Sequence, residues 1–374
     1  MNKKSFTILT VVTAVAVIVA AVAVERGGRA DVAESGGLAI PGLAGQVNDV
    51  AVIAVQAGET RLSIRRKGDG WVVDEKHGYP ADLGKVRKVV VELANLELLE
   101  RKTRREERYV RLEVEDPSAK DTKSAALSLK SVSGETIADL VVGKRRFGLF
   151  RSSGRGIYLR KLDDPQVWLA RGDVEVGRTA LEWLDRKLVR VEEEDIHRLV
   201  IRQPDGATLT AVKPTQTQKY FTVENIPEGR KLSRANAADR ISTAFDEVDL
   251  NDVRPESEVS FPEAYVQAEL TTFYGLTVAM DIAEIDGKKW ARLRAAAGPP
   301  PIAAAMDTAS TSAAADKASA EDKAPKAPSD AAADAAAINA RAADWVYLLN
   351  DNTAAHLSTK LTDLLAPVTV KQGS

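Results

Sequence analysis

Cysteine is absent from this chain of 374 residues, and histidine occurs only at His77, His197 and His356. The first absence excludes a thiol nucleophile, a disulfide framework and a cysteine-ligated zinc site. Three scattered histidines argue against a histidine-rich metal centre, although carboxylates remain able to hold a hard cation. An excess of one charge is also missing: 52 Lys and Arg stand against 54 Asp and Glu, a net charge of −2. A dedicated nucleic-acid binder carries a basic excess to offset phosphates, so nucleic acid is not an expected partner. H-E-x-x-H, G-x-S-x-G, S-x-x-K and dinucleotide fingerprints do not occur. No catalytic constellation, cofactor site or metal site is therefore expected.

What is present begins with an address. Residues 6–24, "FTILTVVTAVAVIVAAVAV", run for 19 positions without a charge, behind Lys3 and Lys4. As a helix this stretch is about 28 Å long, close to the ~30 Å hydrocarbon core of a bilayer. The positive-inside rule keeps residues 1–5 cytoplasmic and sends the body across the membrane. "AVA" at residues 21–23 also fits a signal-peptide cleavage site, although the apolar run exceeds the usual h-region. On either reading the expected location is the outer side of a bacterial inner membrane, with a retained single-pass anchor as the first choice. Residues 25–45, rich in Gly and Ala, read as a flexible tether.

Regular patterning begins near Val47. "VAVIAV" from Val50, "TRLSI" from Thr60 and "GWVVDE" from Gly70 read as strands separated by turn residues. A helix is expected from Leu83 to Leu99, because Val86, Val89, Val90, Leu93 and Leu96 share one face. The order returns later: "HRLVI" from His197, "TLTAV" from Thr208, "KYFTVE" from Lys219, then a helix from Arg234 to Val248. Trp71 corresponds to Phe221 and Asp82 to Ser233, both of the latter pair being N-cap types. Further on, "QVWLAR" then "TALEWLDRKLV" (from Gln166) is matched by "DWVYLL" then "TAAHLSTKLTDLL" (from Asp344), each read as a strand and a short helix opened by Thr. The expected fold is α+β, with two related halves of mainly antiparallel sheet carrying packed helices, over 46–190 and 191–368. The second half is interrupted at about 295–339, where Ala, Pro, Ser, Asp and Lys offer too little apolar surface to offset ordering entropy. That stretch is expected to be disordered, with a frayed helix at its Ala-rich end.

Three stretches bear on chemistry. The corner "HGYPAD" from His77 sets a histidine beside Tyr79 and Asp82, but Gly78, Pro80 and a capping Asp are also what a strand-to-helix turn needs. The run 143–161 carries Lys144, Arg145, Arg146, Arg151, Arg155, Arg160 and Lys161, interleaved with Phe147, Phe150 and Tyr158. It reads either as a solvated Arg-rich hairpin or as a surface for an anion or an acidic partner. The acidic run Glu192–Asp195 lacks the alternating ligands and Gly turn of a Ca²⁺ loop, and reads as a solvated linker between halves. Arg101, Lys102, Arg104 and Arg105 fit a helix C-terminus, where cations are favoured.

Three motifs, "GWVVDEKHGYPADLGKV", "GIYLRKLDDPQVWLARGDVEVGRTALEWLDRKLV" and "DWVYLLNDNTAAHLSTKLTDLLAP", carry a resemblance. The chain resembles uncharacterised, membrane-anchored extracytoplasmic proteins labelled as a domain of unknown function, often encoded beside gliding-motility-type ABC transporters. The long Ala/Pro/Ser insertion departs from that pattern. The resemblance implies a non-enzymatic accessory subunit of an envelope transport assembly. Its partner would be an ABC-type permease or its auxiliary subunit, met through sheet edges and the cleft between halves. The alternative is a binding module for an anionic envelope lipid or polysaccharide at the 144–160 hairpin. A cell-wall hydrolase would instead need an indispensable His or carboxylate, with His77 and Asp82 the first candidates.

Overall fold

In the computed structural model, residues 37–148, 154–301 and 326–367 are described. The chain divides into two units, at residues 185 and 186. The first contains β1 (Gly37–Leu38), α1 (Leu43–Gln46), β2 (Val50–Ala57), β3 (Thr60–Lys67), β4 (Gly70–Val73) and β5 (Tyr79–Pro80). It continues with α2 (Leu83–Ala94), β6 (Glu97–Thr103), α3 (Tyr109–Leu112), β7 (Ala125–Ser131), β8 (Thr136–Phe147), β9 (Arg155–Lys161) and β10 (Val167–Arg171). Its strands form one antiparallel sheet in the order β1-β6-β10-β9-β8-β7-β2-β3-β4-β5.

The second unit contains β11 (Lys187–Val189), β12 (Ile196–Arg202), β13 (Thr208–Val212), β14 (Thr222–Val223), α4 (Asp239–Asp246), β15 (Val248–Pro255), β16 (Val266–Thr272) and β17 (Leu276–Ile285). After them come β18 (Lys288–Ala297), α5 (Pro328–Ala342), β19 (Trp345–Leu349), α6 (Asp351–Leu357) and α7 (Leu361–Leu364). Its sheet runs β11-β15-β19-β18-β17-β16-β12-β13-β14. Matched from β2 against β12 outward, the two sheets have one strand order. Antiparallel sheets with packed helices make the fold α+β.

Side-chain alternation builds each core. On β2, Val50, Ile53, Val55 and Ala57 are buried while Ala54 and Gln56 are half-exposed. Helix α2 closes over this layer with Val86, Val89, Val90 and Leu93 buried. The Asp82 carboxylate accepts the Lys85 N–H at 3.1 Å, satisfying a first-turn donor that the helix itself leaves unpaired. The helix stops at Ala94, five residues before the expected end, because Glu97–Thr103 supplies a strand to β10.

The corner at residues 77–82 is a junction. Ala81 bridges Leu184, the Asp82 N–H donates to the Trp183 carbonyl at 2.8 Å, and the Asp185 N–H donates to the Pro80 carbonyl at 3.0 Å. The second unit repeats it: Leu232 bridges Leu365, Ser233 N–H meets the Leu364 carbonyl at 2.8 Å, and Ala366 N–H meets the Lys231 carbonyl at 2.8 Å. Ser233 therefore occupies the place of Asp82, but it caps no helix, since turns precede α4 and Ala238 is the residue before it. Trp71 and Phe221 are both buried beneath their corners.

Several elements depart from the sequence expectation. Residues 37–45 of the stretch read as tether fold onto the first unit: Ala39 N–H bonds the Leu96 carbonyl at 2.7 Å and Leu43 is buried beside α2. The strand read over "KYFTVE" is reduced to Thr222–Val223. Thr179 opens only a single 3₁₀ turn, Ala180–Glu182, and α6 is capped by Asn350, whose side chain accepts the Thr353 N–H at 2.8 Å. Within the stretch read as disordered, β18 continues to Ala297 and α5 is a packed helix. Ala331, Ala335, Ile338 and Ala342 form its buried stripe, and Asn339 exchanges two hydrogen bonds with the Ala295 backbone, at 2.9 and 2.7 Å. Small side chains let this helix approach the sheet closely, an advantage that a count of large apolar residues does not register. Residues 6–24 lie outside the described residues; among the described residues no helix is long and apolar enough to cross a membrane.

Candidate functional site

The basic run forms the β8–β9 hairpin, with Arg145 opposite Ile157, Arg146 opposite Gly156 and Phe147 opposite Arg155. Its cations are not equivalent. Arg145 sits between Asp173, 3.3 Å from Nε, and Glu175, 3.3 Å from Nη2. Arg155 also pairs with Asp173. Arg160 donates from Nε to the Val114 carbonyl at 3.0 Å and from Nη1 to the Leu162 carbonyl at 3.1 Å, and lies over the Tyr109 ring at 5.3 Å. Tyr109 in turn donates to the Pro165 carbonyl at 2.6 Å. Three of the nominated arginines thus hold neighbouring segments of their own unit. Lys144 and Arg146 are exposed, as is Phe147. Arg151 lies outside the described residues.

At the hairpin's root is a cleft of about 350 Å³ lined by Lys123, Arg145 and Arg178 with Glu113, Glu175 and Glu182. Cations and carboxylates are equal in number there. Arg178 is fixed by the carbonyls of Thr122, at 2.7 Å, and Lys123. Nearby, Glu92 of α2 has one carboxylate oxygen buried without a hydrogen-bond partner. Burial pushes its pKa up, with Lys88 and Arg145 opposing and Asp173 and Glu175 reinforcing the shift. A carboxyl with a raised folded-state pKa favours folding while protonated and loses that contribution as pH rises past its unfolded value of about 4.3. Glu92→Gln is therefore expected to raise the thermal midpoint at pH 7, with the gain shrinking as pH falls toward 4. A midpoint unchanged or lowered at pH 7 contradicts the assignment.

The remaining nominated residues fall apart spatially or into structural roles. His77 ends the 3₁₀ turn Asp74–Lys76 with φ 55°, and its N–H donates to the Asp74 carbonyl at 3.1 Å. His197 Nδ1 is 2.8 Å from the Lys213 carbonyl and its ring meets Phe273 edge-on at 5.1 Å. His356 lies in α6. The acidic run is not a linker but a 3₁₀ turn within the second unit, where Glu193 pairs at 2.9 Å with Lys213, a lysine with a 5% exposed side chain. Arg101 and Lys102 belong to β6 instead of a helix end: Arg101 lies over Trp168 at 5.2 Å, and Lys102 pairs with Glu100 at 2.5 Å. Among the described residues no group of three or more His, Asp or Glu is placed to hold a metal ion.

Two clusters in the second unit were not singled out from the sequence. Asp281, fully buried on β17, meets Arg294 at 2.5 Å and Arg292 at 3.5 Å, and accepts from Gln267 at 3.3 Å. Arg292 also pairs with Glu256 at 3.1 Å and lies over the Phe261 ring at 4.1 Å. The available signal was a carboxylate inside the apolar run "LTVAMDIAEI", facing a next strand with Arg at alternate positions. The second cluster joins Tyr274, Lys326 and Asp334. Tyr274 donates to Asp334 at 3.1 Å, while Lys326 Nζ donates to Asp334 at 2.8 Å and to the Tyr274 oxygen at 3.2 Å. Burial lifts the Tyr274 phenol to about 12, against the opposing effect of Lys326. Burial opposes the Lys326 charge, but its bonds to Asp334 and Tyr274 outweigh that and hold its pKa above the ordinary lysine range.

The architecture defines a two-unit α+β protein whose sheets share one strand order. The chain belongs to the family described as domain of unknown function DUF4340, whose model matches residues 71–269, from Trp71 on β4 to Glu269 on β16. Neither a curated protein nor a solved structure matches the chain.

Proposed function

We propose that the chain is a non-enzymatic accessory protein of an ABC-type envelope transport assembly. It is held by residues 6–24 in a bacterial inner membrane, its body lies on the extracytoplasmic side, and it acts by contact. The observation that carries this reading is the repeated antiparallel architecture. Each unit ends in short edge strands, β5 in the first and β14 in the second, and sheet edges and faces are common surfaces for protein recognition. The resemblance to proteins encoded beside gliding-motility-type transporters gives the partner class. The engagement of Arg145, Arg155 and Arg160 inside their own unit favours this reading over an anion module at the hairpin.

The test is affinity purification of the full-length chain in gentle detergent. Recovery of a permease or its auxiliary subunit, at stoichiometry independent of ionic strength, is the expected result. A folded protein that repeatedly emerges without any membrane partner overturns the proposal.

A further inference from the structure

The hairpin cations are largely committed, but a different set in the second unit converges on a cleft. We infer that the cleft between α5 and β11 binds a small amphipathic anion, a phosphate or carboxylate bearing a short alkyl group. Lys187 and Arg190 border the cleft at β11, and Lys326 and Arg341 border it at α5; Asp334 is the one carboxylate on its lining. The local net charge is +3, in a chain whose total is −2. Leu276 and Ile338, both buried, add apolar surface to the lining.

The two pairs of cations differ in a way that suits a ligand. Arg341 is held by the Lys187 carbonyl at 3.2 Å and the Ala337 carbonyl at 3.4 Å, and Lys326 by Asp334 and Tyr274. Their charges are fixed in place, which lowers the entropy lost on binding. Lys187 and Arg190 are exposed and make no ion pair among the described residues. They are the groups left to close on an anion, Arg190 with a planar fork suited to two oxygens. The cleft measures about 170 Å³, below the roughly 300–1,000 Å³ typical of drug-sized ligands, so the ligand is small. This inference does not depend on the accessory-protein reading.

The test is calorimetric titration of the full-length chain, in nanodiscs of zwitterionic lipid, with hexyl phosphate and with inorganic phosphate. Saturable binding of hexyl phosphate, tighter than that of inorganic phosphate, is expected. The Lys187→Glu/Arg190→Glu variant should bind about tenfold more weakly or worse, which is about 1.4 kcal/mol or more. A charge-matched control within the same unit, Lys219→Glu/Lys231→Glu, flanks β14 at the sheet edge opposite β11 and should stay within about twofold, since exposed charges separated by more than a Debye length are screened. Repeating the titration in phosphatidylglycerol nanodiscs separates two sources of the same chemistry. Competition by the discs identifies a lipid headgroup and its absence a free solute, and either supports the site. No saturation at millimolar ligand, equal affinity for the two phosphates, or equal losses in variant and control overturns it. Circular dichroism of the variant checks that lost binding is not lost folding.

Discussion

Gly275→Ala should cost about 3 kcal/mol or more and lower the second unit's thermal midpoint by roughly 6 °C or more. Two effects combine at this residue. Its φ is +95°, a left-handed conformation that L side chains resist, and a methyl group there would run into the carbonyl oxygen of Gly298. The close approach is structural: the Gly298 N–H donates to the Gly275 carbonyl at 2.8 Å, closing the end of the β17–β18 pair beside Tyr274. Gly287 isolates the first effect, since its φ is +72° but nothing lies within 4 Å of an added methyl. Gly287→Ala should therefore cost only about 1–2 kcal/mol. Scanning calorimetry of the two variants decides the matter, and equal losses would mean that the Gly298 contact contributes nothing.

Asp281→Ala should be comparably severe, at about 3 kcal/mol, because it empties a fully buried site and removes the buried counter-charge of Arg292, leaving that guanidinium only the more exposed Glu256. The side chain of Asp281 is fully buried, whereas that of Arg292 is 26% exposed and that of Arg294 is 59% exposed. Removing Arg294 should matter far less, about 1 kcal/mol or below, since an exposed arginine leaves its place to water and Arg292 remains beside the carboxylate. Urea unfolding of the two variants gives the comparison. A loss on Arg294→Ala as large as that on Asp281→Ala would show that Arg294, despite its exposure, supplies the compensating charge. The network also has a positional consequence: Gln267, Asp281 and Arg292 lie on three consecutive strands, β16, β17 and β18, and tie their register on one face.

Much of the fold is legible along the chain because local physics writes it there. Short runs rich in β-branched and apolar residues, bounded by turn residues, mark β2, β3, β12 and β13, and the stripe Val86–Val89–Val90–Leu93 marks α2. Asp82 caps that helix through a contact only three residues long. The duplication is readable because the order of apolar strands, turn residues and an amphipathic helix recurs, with Trp71 and Phe221 buried at matching places. Ser233 shows the limit of that reading. It occupies the corner position of Asp82, but the helix it was expected to cap begins six residues later.

The candidate site divides in the same manner. The sequence alone determined the charge balance, the absence of thiol chemistry, the strand–helix plan and the presence of a basic hairpin, since each depends on composition or on neighbours within one turn. Only the tertiary structure decided which cations are already occupied and which face a cleft. Asp173 and Glu175 reach Arg145 from a segment about 30 residues away, and α5 brings Lys326 and Arg341 to Lys187 and Arg190 across more than 130. Ion pairing acts through space over a few ångströms and carries no period that a chain can display. For that reason the order of residues named the charges, and the packing of the sheet and of α5 assigned their partners.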